Sequence, residues 1–210
     1  MLCLQSSVAT ICCYAHPDLY FNLPVANAYQ QGIGNRLPTR KNRLMSQYPI
    51  SSLLAESHVL CGASISSKKK SLQQIAALLE SDIGMNADET EVDMDVMDAL
   101  AAREKLGCTG MGNGIAIPHG RVPFVDEPIA ALITLDRPVD FDAADDIPVD
   151  IVFGLLMPED ITEEHLAILA TLARFFNEQH SRQAVRETSN VKDLLAVVSN
   201  ADKLQSDHGH

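Results

Sequence analysis

Tryptophan is absent from this 210-residue chain, and aromatic residues make up only 5% of it. So few ring faces exclude the stacking platforms that single-stranded nucleic-acid binders use. Basic charge is scarce as well: 16 Lys and Arg stand against 28 Asp and Glu, a formal net charge of -12. A nucleic-acid partner requires basic surface to neutralise phosphates, so that class drops out. No stretch approaches the roughly 18–20 consecutive apolar residues that span a bilayer, and membrane embedding drops out with it. Cysteine forms no framework. Cys3, Cys12 and Cys13 crowd the first stretch while Cys61 and Cys108 stand alone, without a CxxC pair. A disulfide scaffold and a four-ligand zinc site are both excluded on that spacing. The opening MLCLQSSVATICCYA lacks a basic leading region and is interrupted by Gln5, Ser6 and Ser7, so it does not read as an export signal. The expected location is the cytoplasm.

What is present is a globular composition, with 46% hydrophobic and 21% charged residues. Charge divides the chain unevenly. Residues 1–44 carry Arg36, Arg40, Lys41 and Arg43 against Asp18 alone, a net +3 that leaves -15 on residues 45–210. The same segment holds Pro17, Pro24 and Pro38 and no helical or strand period. It reads as a disordered N-terminal extension, or as sequence upstream of a true start at Met45; a basic docking arm or a targeting segment is the functional alternative. The domain is expected over residues 46–200, and 201–210 as a flexible tail.

Within the domain the pattern becomes regular. Leu72, Ile75, Ala76 and Leu79 follow i, i+3, i+4, i+7 and predict an amphipathic helix over 68–81. A second helix is expected from Glu91 to Lys105, its acidic start suited to the positive end of the dipole, with Gly107 as its stop. Apolar, partly β-branched runs over 115–117, 128–135 and 149–157 predict strands. Further helices are expected over 161–177, 180–188 and 191–199. Helices interleaved with buried strands argue for an α/β sandwich.

The most informative segment is GCTGMGNGIAIPHGR, residues 107–121. A dinucleotide fingerprint must follow a strand and open a helix, whereas these glycines follow a helix and lead into a strand. No GK[ST] is present, so a phosphate-binding Walker loop is excluded too. The glycines instead permit backbone turns and close approach of another molecule. His119 then leads the candidates. Pro118 fixes the backbone before it and Gly120 removes bulk after it, so an imidazole is presented at a strand end. A neutral imidazole is a competent nucleophile toward a phosphoryl group. A plain surface histidine is the bland alternative.

Two further residues bear on His119. Val92, Val96, Leu100 and Arg103 share a helix face, which puts Arg103 at the end of the apolar stripe. Its guanidinium either curls toward the glycine loop, where its planar donors suit a phosphate, or snorkels into water. Asp160 with Glu163 forms a capping-box-like helix start, after which His165, Leu169, Leu172 and Phe176 fall on one face. His165 therefore sits on the buried face in the first turn, near a helix N-terminus that favours anions. The acidic run Asp140, Asp142, Asp145 and Asp146 lacks EF-hand spacing and reads as a solvated loop. Cys108 has no activating base, and Lys68-Lys69-Lys70 reads as a solvated helix start.

These residues carry a resemblance. Arg103-Glu104-Lys105-Leu106-Gly107-Cys108-Thr109-Gly110, then GNGIAIPHG at 112–120, FDAADDIPVDIVFGLLMP at 141–158 and EEHL at 163–166 resemble the enzyme IIA family of the bacterial phosphotransferase system. The branch resembled is the fructose/mannitol type, and within it the nitrogen-branch regulatory enzyme. The resemblance covers residues 46–200; residues 1–44 have no counterpart in it. It implies a three-layer α/β/α sandwich around a mixed β-sheet. It implies that His119 is the phosphoryl acceptor, on its tele nitrogen, with His165 as second active-site histidine and Arg103 beside the phosphoryl site. The implied donor is the phosphohistidine of an HPr-like phosphocarrier of the nitrogen branch, and no metal or cofactor is implied. Regulatory targets such as a potassium transporter or a sensor kinase follow from the same resemblance.

On that reading Arg103 offsets charge on the equatorial oxygens, while His165 donates to the phosphoryl group or orients the His119 ring. Two alternatives stand beside it. One is a sugar-specific enzyme IIA that passes its phosphoryl group to an enzyme IIB cysteine, and the other a binding module whose histidine is never phosphorylated. A zinc hydrolase is disfavoured by the absence of HExxH spacing.

Overall fold

In the computed structural model the described residues are 49–83, 95–160 and 163–207. The segment assigned to an extension, the start of the second helix over 91–94 and the last three residues lie outside them.

A short 3-10 turn, Ile50–Leu53, leads into β1, Leu54–Ala63. Helices α1, Lys68–Ile83, and α2, Val96–Leu106, follow. Three short strands come next: β2, Gly110–Gly112; β3, Ile115–Ala116; and β4, His119–Val122. Two long strands, β5, Ile129–Val139, and β6, Val149–Pro158, precede α3, Glu163–Asn177, α4, Gln179–Glu187, and α5, Val191–Asp207.

The sheet is mixed and six-stranded, in the order β1-β5-β6-β3-β2, with β4 also paired to β6. β6 is the axis. Nine of its ten residues are buried, and from Ile151 onward it is the continuous apolar run of a strand covered on both faces. On one side it runs antiparallel to β5. On the other it pairs in parallel first with β3, at Ile151 and Val152, and then with β4, from Leu155 to Pro158.

Alternation along β6 separates two cores. Ile151, Phe153, Leu155 and Met157 pack with Ile168, Leu172, Phe175 and Phe176 of α3 and with Val185, Leu194 and Val198 beyond it. Val152 and Leu156 face Ile75, Ala76 and Leu79 of α1 and Val96, Ala99 and Leu100 of α2. The sheet is thus sandwiched between helices on both faces, the expected three-layer architecture with a mixed sheet. α1 lies so close that a Cβ built on Gly154 would stand 2.1 Å from Ile75 Cγ2, which is why β6 carries a glycine there.

Several boundaries differ from expectation. β1 was not anticipated, nor were β2 and β4. The last helix runs to Asp207 rather than ending near 199, so residues 201–207 are helical where a flexible tail was expected. The physical reason is a tertiary tie: the Asp202 carboxylate accepts the backbone N–H groups of Ile50 (3.0 Å) and Ser51 (2.8 Å), and Ala201 packs against the α3-side core.

Candidate active site

Local chemistry first places the glycine segment. Asp95 caps α2 by accepting from the Met97 N–H at 3.0 Å. In the last turn of the helix, the Glu104 carboxylate accepts from the hydroxyl (2.5 Å) and backbone N–H (3.2 Å) of Thr109, just past the helix end, and pairs with Lys68. The chain then reverses between β2 and β3 at Gly112, Asn113 and Gly114, with φ of 89°, 57° and 80°. Three successive left-handed residues explain the glycine content. Asp145 clasps the turn through the Asn113 N–H at 2.7 Å. The glycines therefore serve a hairpin, as the backbone-turn reading expected.

Pro118 ends β3's run without ending the sheet. Its carbonyl accepts the Leu155 N–H at 3.0 Å, and β4 begins at the next residue. His119 is thus the first residue of a new strand rather than the end of the old one. Among the described residues that strand pairs only with β6, so it forms an edge. His119 and Arg121 point to one face and the buried Gly120 and Val122 to the other. On the latter face a Cβ at Gly120 would lie 3.1 Å from both the Cβ and the carbonyl carbon of Ala99. The glycine lets α2 settle against the edge strand, and Arg103, one turn after Ala99, arrives beside His119.

The resulting geometry is specific. Arg103 Nε donates to His119 Nε2 at 3.0 Å, while its Nη1 donates to the Gly107 carbonyl at 2.9 Å. Of the two sequence-level readings of Arg103, the structure shows the curl toward the glycine loop. His119 Nδ1 lies 2.9 Å from the Ile117 carbonyl. A guanidinium only donates and a carbonyl only accepts, so the two partners fix the tautomer: Nδ1 carries the proton and Nε2 keeps its lone pair.

His165, buried near the start of α3, sets its ring edge-on to that of His119, with centroids 5.3 Å apart and planes at 66°. Its Nδ1 is buried and has no hydrogen-bond partner among the described residues. The low-cost tautomer therefore places the proton on Nε2. Burial is the main influence pushing both histidines down to a pKa of about 4. Arg103 and Arg121 push the same way at His119, against the bond to Ile117, and His119 and both arginines do so at His165. Both rings are neutral at pH 7.

Arg103, His119 and His165, far apart in sequence, are thus brought together. Three contributors escaped the sequence reading. The Ile117 carbonyl is a backbone group that no side-chain pattern reveals. The Glu104–Thr109–Lys68 buttress links α1, α2 and the segment that leads into β2. Arg121 follows from the i, i+2 rule once β4 is recognised as a strand, but Pro118 hid that strand. Cys108 hydrogen-bonds the Phe141 carbonyl at 2.8 Å, and burial, the main influence, raises its pKa, opposite to what a nucleophile needs. Among the described residues no group of three or more His, Cys, Asp or Glu could hold a metal ion.

The sequence model described as "Phosphoenolpyruvate-dependent sugar phosphotransferase system, EIIA 2" matches residues 52–201. The chain belongs to this enzyme IIA family. Among its relatives, a nitrogen regulatory protein of Pseudomonas aeruginosa is 44% identical over 132 residues, 63% of this chain and 82% of that protein. One from Bradyrhizobium diazoefficiens is 36% identical over 151 residues, 72% of this chain and 95% of that protein. The crystal structure of the nitrogen regulatory protein IIA-Ntr from Neisseria meningitidis is similar at a TM-score of 0.64 and 38% identity, covering 71% of this chain and 98% of that one. The mannitol IIA of Escherichia coli shares the enzyme IIA fold, at a TM-score of 0.56 and 20% identity, over 69% of this chain and 98% of that one. No helix among the described residues is long and apolar enough to cross a membrane.

Proposed function

We propose that this enzyme IIA is a histidine phosphotransfer protein of the nitrogen branch, which accepts a phosphoryl group on His119 and regulates partners through its phosphorylation state. The observation that carries this reading is the polarised His119 ring: Nδ1–H on the Ile117 carbonyl and the Nε2 lone pair directed at Arg103. The nitrogen-branch assignment draws on the names of the similar proteins given above.

The step balances without a cofactor. Nε2 attacks the phosphorus of a phosphohistidine on an HPr-like phosphocarrier; the donor's P–N bond breaks as the P–Nε2 bond forms. The Nδ1 proton stays in place, and the Ile117 carbonyl stabilises the positive charge that the ring gains. Transfer of this kind rests on positioning and electrostatics. Arg103 must first leave the lone pair, and its guanidinium then meets the equatorial oxygens. His165 contributes its Nε2–H. Phosphorylation adds about -1.5 to -2 charges, by analogy with phosphorylated hydroxyls, and changes which partner surfaces the site accepts. A potassium transporter or a sensor kinase would be such a partner, and the cytoplasm the setting. The domain responsible is residues 46–200.

The test is incubation with a phosphoenolpyruvate-driven phosphocarrier system, followed by intact mass. The expected result is one acid-labile, base-stable phosphoryl group, lost in His119→Ala. Labelling retained in that variant, or none in the wild type, would refute the assignment. Rapid onward passage to an enzyme IIB cysteine would move the protein to the sugar-specific class.

A further inference from the structure

Six arginines lie among the described residues, and four have assigned work. Arg103 holds the site, Arg174 bonds Thr171, Arg182 bonds the carbonyls ending α3, and Arg186 pairs with Asp150. Among the described residues Arg121, like Arg137, has neither a hydrogen bond nor an ion pair, and it is exposed. It stands two residues from His119 on the same face of β4. Two residues of extended strand span about 7 Å, a distance that an arginine side chain covers. Its charge is felt by both active-site rings.

Retaining an unpaired guanidinium at this point is informative in a chain of net charge -12. A dianionic phosphoryl group on Nε2 would be opposed by that overall field. Arg103 supplies one positive charge and remains tethered through Gly107. Two charges are needed to balance the group. We propose that Arg121 is the second phosphoryl-binding residue, which grips the equatorial oxygens once His119 is loaded and so sets how tightly the protein retains its phosphoryl group. This rests on the phosphotransfer reading above.

Equilibrium separates this role from carrier docking. The equilibrium constant for exchange between carrier and protein depends only on the free species. A residue that merely helps the carrier to dock changes rates and cannot change that constant. The experiment mixes phosphorylated carrier with wild-type protein, Arg121→Gln or Arg121→Lys and measures phosphorylated fractions by intact mass at equilibrium. Loss of one charge-assisted hydrogen bond shifts the constant toward the carrier roughly 10-fold in Arg121→Gln, and Arg121→Lys recovers most of it. An unchanged constant in Arg121→Gln, with slower transfer alone, would overturn the proposal in favour of docking. A wild type that takes up no phosphoryl group would overturn the underlying reading as well.

Discussion

The two neutral histidines make folding stability sensitive to mild acid. Each has its pKa lowered from 6.5 to about 4 in the folded protein. Between those values the unfolded chain binds protons that the native chain refuses, so stability falls as pH falls. The contribution is intact above pH 6.5, is lost progressively below it, and levels off below pH 4. Full protonation in the unfolded state costs about 3 kcal/mol per histidine, at about 1.36 kcal/mol per pKa unit. Between pH 7 and pH 5 the loss is about 2 kcal/mol each, or about 4 kcal/mol for the pair. Against a typical total of about 5–15 kcal/mol, that is a large fraction. The assay is urea unfolding at half-unit pH steps for the wild type, His119→Gln, His165→Gln and the double variant. Carboxylates contribute equally to all four, so the informative quantity is the difference in pH dependence rather than the absolute stability. The double variant should lose about 4 kcal/mol less than wild type over that interval. Parallel curves for all four proteins would refute the burial argument and show that the rings protonate freely in the folded state.

Arg103→Ala removes the donors to His119 Nε2 and the Gly107 carbonyl; single-turnover phosphotransfer should slow about 100-fold, with the unfolding midpoint little changed. Gly154→Ala should destabilise by about 1–3 kcal/mol in urea unfolding, because the added methyl stands 2.1 Å from Ile75 Cγ2, and the same substitution made in an Ile75→Ala background, which lacks that carbon, should cost much less. Asp202→Ala strips the acceptor from two backbone N–H groups and should cost about 1–2 kcal/mol, with faster amide exchange at Ile50 and Ser51.

Much of this architecture is legible in the residues. The period through Leu72, Ile75, Ala76 and Leu79 marks α1, and all four side chains are buried. The apolar run from Ile151 to Pro158 marks β6 because a strand covered on both faces needs no polar alternation. β1 is hidden for the opposite reason. Its pairing with β5 slips between Leu54 and Val59 and again between Leu60 and Ala63, so its burial keeps no constant phase. His119 was marked by its proline and glycine neighbours. The direction of Arg103 was not legible, since it depends on how closely α2 approaches Gly120, a contact between two separate elements.

The position of His119 at a sheet edge accounts for why its partners come from such distant parts of the sequence. Across most of the sheet, the core under α1 and α2 and the core under α3 are separated by a layer of buried strand. A side chain from one layer cannot meet one from the other there. β4 is different because nothing among the described residues pairs with its outer side. Arg103, from the α2 layer, reaches around that edge to the same imidazole that His165 meets from the α3 layer. Burial from both layers keeps the ring neutral, while the open edge leaves a path for an incoming group to Nε2. Moving the histidine one strand inward would preserve its burial and remove that access. The discontinuous arrangement of β3, Ile117-Pro118 and β4 along one side of β6 is therefore what keeps a half-buried histidine approachable.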